Sequence, residues 1–258
     1  MTAIIIKDKP KTHIVIPDSH ARPGFGNERY DWLGKLIVDI KPDHVIDIGD
    51  WYDMESLSSY DKGKKSFEGR RYNLDIEVGV EAQERMLTPI LKQKQKLPHF
   101  TRTLGNHENR INRAVNLDPH LDGLMTTNHF QSKEYRWEEI PFNEPIEIDG
   151  IFYCHHFPSG AMGKPIGGEN IGRMLLQKKH VSCTQGHSHL MDYARRTGLG
   201  GQKIHGLSVG CYFDYEMDYA GPVNGLYDRG IVIKTEVSNG NYDFRWVSIE
   251  ALKKEYNE

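Results

Sequence analysis

Cysteine is scarce in this chain: Cys154, Cys183 and Cys211 are the only three in 258 residues, without paired spacing and each inside or beside an apolar stretch. That excludes a disulfide framework and a thiolate zinc knot, and it fits a reducing compartment in which the thiols act as small buried hydrophobes. Long apolar runs are missing as well. No segment approaches the roughly 20 residues of a membrane-spanning helix, and the first seven residues lack the extended apolar core of a signal peptide, so a cytoplasmic protein is expected. An excess of one charge is also lacking, and a formal net charge of -3 provides no overall basic field for non-specific nucleic-acid binding. With 38% hydrophobic and 27% charged residues the composition suits one α/β domain over residues 1–258, with a sizeable core and no linker or internal repeat.

What the chain does hold is a series of oxygen and imidazole groups, each set placed just after an apolar run. In order these are Asp18-Ser-His20, Gly49-Asp50, Gly105-Asn106-His107-Glu108, His155-His156 and Gly186-His187-Ser-His189. Convergence of such a series describes a site for two metal ions. Two divalent cations roughly 4 Å apart clamp a phosphoryl oxygen, acidify water and stabilise both oxygens of an in-line displacement. Paired positive charge calls for a bridging carboxylate, and Asp50 is the candidate, because it follows the strand-like run 44–48 and a glycine that lets the backbone turn. Mixed His, Asp and Asn ligation suits Mn, Fe, Zn or Ni better than Mg or Ca, and Mn is the expected ion.

In type, order and approximate spacing, these five blocks resemble the signature of the calcineurin-like metallophosphoesterase superfamily: Asp-x-His, Gly-Asp-x-x-Asp, Gly-Asn-His-Glu, a lone His and Gly-His-x-His. The resemblance implies that Asp18, His20, Asp50 and His189 surround one metal and that Asp50, Asn106, His155 and His187 surround the other. It further implies that His107 protonates the leaving group, a role that imidazole fills near neutral pH, and that Asp53 and Glu108 orient ligands without binding metal. At the fourth motif two readings stay open. His155, the first His after the apolar run, is preferred, and His156 is the alternative because the Gly that usually follows the lone His is missing. The implied fold is a four-layer α/β/β/α sandwich of two mixed sheets with helices outside.

The residues by themselves predict a β-α-β start: a strand over 12–17, a helix over 32–40 and a strand over 45–48, with the ligands at the carboxyl ends of parallel strands. A helix over 75–96 is expected to kink or restart at Pro89, followed by a strand over 100–104 and a short helix over 109–116. Residues 124–137 read as partly helical. The carboxyl half reads as strands over 144–148, 151–154, 180–184, 203–209, 230–237 and 242–248, with Asn239-Gly240 marking a hairpin.

Three segments bear on the substrate. Residues 56–71, within a specificity insertion expected at 55–98, carry Lys62, Lys64, Lys65, Arg70 and Arg71 against Asp61 and Glu68, and they follow the second motif directly. They read equally as a polyanion-attracting overhang and as a solvated loop. The glycine-rich run 158–168, with Lys164 and Arg173 nearby, suits a phosphate-lining role, as do Arg110 and His156. The aromatic stretch 212–227 reads first as packing and second as a wall for bases. Leu104 before the third motif and Asp53-Met54-Glu55 after the second differ from the Ser/Thr phosphatase pattern. The wording around His155, Gly186 and Gly105 is similar to bacteriophage and prophage members. The expected activity is therefore hydrolysis of phosphodiesters of nucleotides or nucleic acid, in a bacterial or infected cell. A phosphomonoesterase is the alternative, and a non-catalytic metal-binding regulator is a third reading.

Overall fold

The computed structural model describes residues 9–217 and 220–257. The amino-terminal stretch that bears on a signal-peptide core lies outside them. In chain order the elements are β1 (Lys11–Ile16), α1 (Glu28–Ile40), β2 (His44–Asp47), α2 (Tyr72–Lys92), β3 (His99–Thr103), α3 (Arg110–Leu117), β4 (Trp137–Ile140), β5 (Ile146–Ile148), β6 (Ile151–Tyr153), β7 (Pro158–Ser159), β8 (Lys164–Pro165), α4 (Ile171–Lys179), β9 (Ser182–Gln185), β10 (Met191–Thr197), β11 (Lys203–Val209), β12 (Gly230–Ser238), β13 (Asn241–Ser248) and α5 (Ile249–Tyr256).

Ile14, Val15 and Ile16 of β1 are all fully buried, as are Val45 and Ile46 of β2. Continuous β-branched burial marks strands covered on both faces, the condition of parallel sheets inside α/β layers. One sheet has six strands in the order β13-β12-β1-β2-β3-β4, parallel from β1 to β4, and the other has five in the order β10-β11-β9-β6-β5. Between the sheets, Val15, Ile46 and Ile48 pack on Ile151, Tyr153, Leu207 and Val209. Helices α1, α2 and α5 cover the outer face of the six-stranded sheet, and α4 covers the other sheet. This is the expected two-sheet sandwich with helices on both outer faces.

Helix α1 presents Trp32, Leu33, Leu36 and Ile37 to the core and stops where Lys41 turns left-handed (φ 51°) before Pro42. Pro89 does not break α2, which runs unbroken from Tyr72 to Lys92. The proline removes one donor, that to the carbonyl of Arg85, and its ring packs against Gly34 of α1, so contacts with α1 carry the helix across it. Residues 124–137 contain one short 3-10 turn, Thr127–Phe130, and then the edge strand β4. The Asn239-Gly240 hairpin joins β12 to β13 as expected. Among the described residues, no helix is long and apolar enough to cross a membrane.

Candidate metal centre

Parallel pairing puts the carboxyl ends of neighbouring strands side by side. In the six-stranded sheet the loops after β1, β2 and β3 carry Asp18 and His20, Asp50 and Asp53, and Asn106 to Glu108. In the other sheet β6 and β9 are parallel neighbours, and the loops after them carry His155 and His156, and His187 and His189. All five loops therefore meet at one end of the sandwich.

Asp50 stands between two groups. On one side, His189 Nε2 lies 3.2 Å from Asp18 Oδ2 and 3.3 Å from His20 Nε2, which is 3.9 Å from Asp50 Oδ2. On the other, His155 Nε2 lies 3.0 Å from Asn106 Oδ1, 3.2 Å from His187 Nδ1 and 3.4 Å from Asp50 Oδ2. His156 is beside this second group, its ring centre 4.9 Å from that of His187, and its buried Nδ1 has no hydrogen-bond partner. The structure thus brings His155 against Asn106 and Asp50 and leaves His156 next to them.

The backbone is bent to achieve this. His20, Asp50, His187 and His189 all have positive φ, between 43° and 68°. Such conformations cost about 1 to 3 kcal/mol each, a strain that collects where function over-determines geometry. Gly105 and Gly186 are required for close approach, since a Cβ on either would collide with the carboxylate of Asp50 or Asp18.

A fit to divalent cations follows from the donor set. His155 Nδ1 faces the carbonyl of Ile48 at 3.1 Å, and a carbonyl only accepts, so Nδ1 carries the proton and Nε2 is left as a lone pair. That lone pair points at the Asp50 carboxylate and the His187 ring. His20 repeats the arrangement, with Nδ1 on Asp53 Oδ1 at 3.1 Å and Nε2 turned inward. Burial drives His20 and His155 down to about 3 and His187 down to about 4, which keeps them as the neutral, ligating form. Burial, then the neighbouring Asp18, pushes the Asp50 carboxyl well up; Asp18 itself is held low despite burial by its bond with His189. Converging acceptors around paired buried carboxylates form a site that cations neutralise. The described residues include several His and Asp clusters of this kind, able to coordinate two divalent metals.

Surrounding groups lock the loops. Glu108, which burial and then Asp50 push up to about 8, accepts the backbone N–H groups of Asp50, Tyr52 and Gly105 at 3.0, 2.9 and 2.8 Å. Asp53 receives both His20 and His107, and these bonds hold it well below the usual carboxylate range although burial pushes the other way. Arg29, fully buried in α1, donates to the carbonyls of Ser19, His20, Gly26 and Tyr212. Sequence reasoning missed it, because an arginine near the start of an amphipathic helix normally faces water.

His107 lines a cavity of about 720 Å³ that opens beside the centre, together with Asn106, Arg110, His187, Arg22 and residues of the 55–70 segment. Its Nδ1 bonds the carbonyl of Asp53 at 2.6 Å, and its Nε2 lies 3.2 Å from Arg110 Nη2. Lys164 and Arg173 are exposed on β8 and α4 and are not among the residues lining this cavity.

No family model matches the chain, and no curated protein does. Among solved structures, it is similar to Yfce, a phosphoesterase from E. coli, at 12% identity, TM-score 0.38, covering 92% of this chain and 99% of that one. It is also similar to TT1561 of Thermus thermophilus, at 9% identity, TM-score 0.40, covering 93% and 100%. Likenesses of this depth add nothing to the reading of the site, which stands on its own geometry.

Proposed function

We propose that the protein is a two-metal phosphodiesterase acting on esters of nucleotide size. The observation that carries this is the placement of His107 and Arg110 on the wall of a cavity directly beside the paired acceptor clusters. Asp18, His20, Asp50 and His189 would hold one ion, and Asp50, Asn106, His155 and His187 the other. When bound, such a pair polarises the phosphoryl group and supplies a nucleophilic water at neutral pH. His107 would supply the proton that the departing alkoxide needs, its ring oriented by Nδ1, which lies 2.6 Å from the Asp53 carbonyl and 3.0 Å from the Asp53 carboxylate. Arg110 is anchored by Nη1 on the carbonyls of Asp53 and Met54 at 2.8 and 3.1 Å, which leaves Nη2 beside His107 as a donor to a non-bridging phosphate oxygen.

In the 56–71 segment two of the five basic side chains are ion-paired: Arg70 meets Asp61 at 2.9 Å and Glu55 at 3.4 Å, and Lys64 meets Asp61 at 3.0 Å. The cavity volume supports a small ester over a polymer, since it falls in the range of small-molecule sites, about 300 to 1,000 Å³.

The test is turnover of the Mn-reconstituted protein on bis-nitrophenyl phosphate, linear and cyclic dinucleotides, cyclic and simple mononucleotides, nitrophenyl phosphate, DNA and RNA, with Asp50→Asn as control. Dinucleotides or cyclic nucleotides are expected to be the best substrates. Phosphate release from monoesters alone would move the assignment to a phosphatase, and faster cleavage of polynucleotides would reject the size argument. On the best diester, Arg110→Ala is expected to raise KM about 10-fold with a smaller change in kcat, as for one charge-assisted hydrogen bond.

A further inference from the structure

Outside the cluster at the carboxyl ends of the strands, a second group of ligating side chains sits at the amino ends. His13 of β1 and His44 of β2 are register partners in adjacent parallel strands, so they point to the same face, the one turned toward the other sheet. Farther along that face come Val15 and Ile46, both core residues between the sheets. Two imidazoles therefore occupy places in a row that is otherwise apolar. The five-stranded sheet answers them with Asp149, at the turn between β5 and β6. Its Oδ2 lies 2.9 Å from His13 Nε2 and 3.5 Å from His44 Nε2.

We propose that His13, His44 and Asp149 form a second, independent binding site for a divalent transition-metal ion. Two imidazoles and one carboxylate are a donor set for Zn, Fe(II), Mn or Ni. Ligand bonds of about 2.0 to 2.2 Å at tetrahedral or octahedral angles set neighbouring ligand atoms roughly 2.8 to 3.6 Å apart. Both separations from Asp149 fall in that window, and all three ligand atoms lie within 4.8 Å of one another.

The site is held from behind. His13 Nδ1 is bound at 2.8 Å to the hydroxyl of Tyr153, which in turn is 3.2 Å from Lys234 Nζ, itself 2.6 Å from Thr184 Oγ1. A ring fixed through its other nitrogen is how proteins aim imidazole ligands. Burial, then the nearby Lys234, drives His13 down to about 3, so it stays neutral and able to ligate. Asp149 is fixed as well, since its carbonyl accepts the N–H of Gly240 at 2.9 Å from the β12–β13 hairpin. The way in is open. His44 and Asp149 keep 15% and 27% of their side-chain surface exposed, enough for an ion to enter and for water to complete the shell. A bound ion would clip β1 and β2 to the β5–β6 turn and so tie the two sheets together at the end away from the catalytic loops.

The experiment is metal content per chain, by mass spectrometry, after chelation, reloading with Zn or Co and desalting. The wild-type protein is expected to retain one equivalent more than the variants His44→Ala and Asp149→Asn, both of which keep their circular dichroism and their turnover. Asp18→Asn combined with His155→Ala, which disables the other centre, is expected still to bind one equivalent, so the outcome does not depend on the phosphoesterase reading. Equal metal content in the wild type and the two variants would overturn the proposal and leave the trio as a hydrogen-bonded tie between the sheets. Asp149→Asn keeps the size and an acceptor of the native side chain, so it decides the matter if His44→Ala fails to fold.

Discussion

Replacing Asp50 with asparagine is expected to lower turnover by at least ~1,000-fold, or about 4 kcal/mol of barrier, while the apo protein becomes no less stable. The two effects have one origin. Asp50 is a buried carboxylate whose Oδ2 is surrounded by the Nε2 atoms of His155, His107 and His20 at 3.4, 3.8 and 3.9 Å, with Asp18 close enough to push its ionisation up. Asparagine keeps the shape, and its oxygen still accepts the His107 backbone N–H that Asp50 Oδ1 receives at 2.9 Å. The loop therefore stays in place. What changes is the other atom, which becomes an amide donor without charge, facing the ring nitrogens where cations would sit. Relief of a buried charge favours the folded apo state, and loss of that same charge weakens both metals. The check is a pair of melting curves, with and without Mn, beside metal content and kcat on a diester. Wild-type protein should gain stability with Mn, and Asp50→Asn should not. A variant that retained two equivalents and normal turnover would move the bridging role to another residue.

The parts of this centre that were legible in the sequence are those whose chemistry is local. Asp18-Ser-His20, Gly105-Asn106-His107-Glu108 and Gly186-His187-Ser-His189 each sit in one loop after one strand, so a short string of residues reports both the candidate ligands and the turn that presents them. Strands buried on both faces, such as β1 and β2, were equally plain as β-branched runs. The supporting groups were not. Arg29 reaches the carbonyl of Tyr212, 183 positions away, and Arg102 of β3 pairs in the core with Asp47 of β2 while lying over the rings of Trp51 and Trp137. Such partners meet only when the sheet is assembled. The same reason hid His13, His44 and Asp149, which belong to two different sheets.

Missed elements share another cause. β4 and β10 are edge strands with mixed sequences, Trp-Glu-Glu-Ile and Met-Asp-Tyr-Ala-Arg-Arg-Thr, whose pairing rests on backbone bonds to one neighbour and not on a two-sided apolar pattern. α4 follows a glycine-rich run and buries only Ile171, Gly172, Leu175 and Leu176, too short a period to stand out. α5 is announced mainly by its Ser248 cap, which accepts the N–H of Ala251 at 3.2 Å. The basic segment after the second motif was read correctly as charged, but charge along the chain does not reveal pairing. Arg70 and Lys64 both close on Asp61, which they hold down at about 2.

His107→Ala is expected to reduce kcat on a dinucleotide or alkyl diester by roughly 100- to 10,000-fold with metal content unchanged, and to leave bis-nitrophenyl phosphate turnover much less affected. The split between substrates follows from the role. An alkoxide leaving group needs a proton as the ester bond breaks, whereas a nitrophenolate departs without one. The proposed role rests on how the ring differs from that of His20: both turn Nδ1 toward Asp53 Oδ1, at 3.0 and 3.1 Å, but His20 alone of the two directs Nε2 at a second buried imidazole, His189. His107 Nε2 instead meets Arg110 at the cavity wall. Alanine at 107 keeps the backbone N–H that binds Asp50 Oδ1, so the third-motif loop and Asn106 remain where they are. Metal analysis separates the alternatives. Loss of an equivalent in His107→Ala would make the ring a ligand, and an equal fall on alkyl and nitrophenyl esters would assign it to binding or positioning. A large fall confined to the unactivated ester, with the metals in place, requires that the proton come from His107.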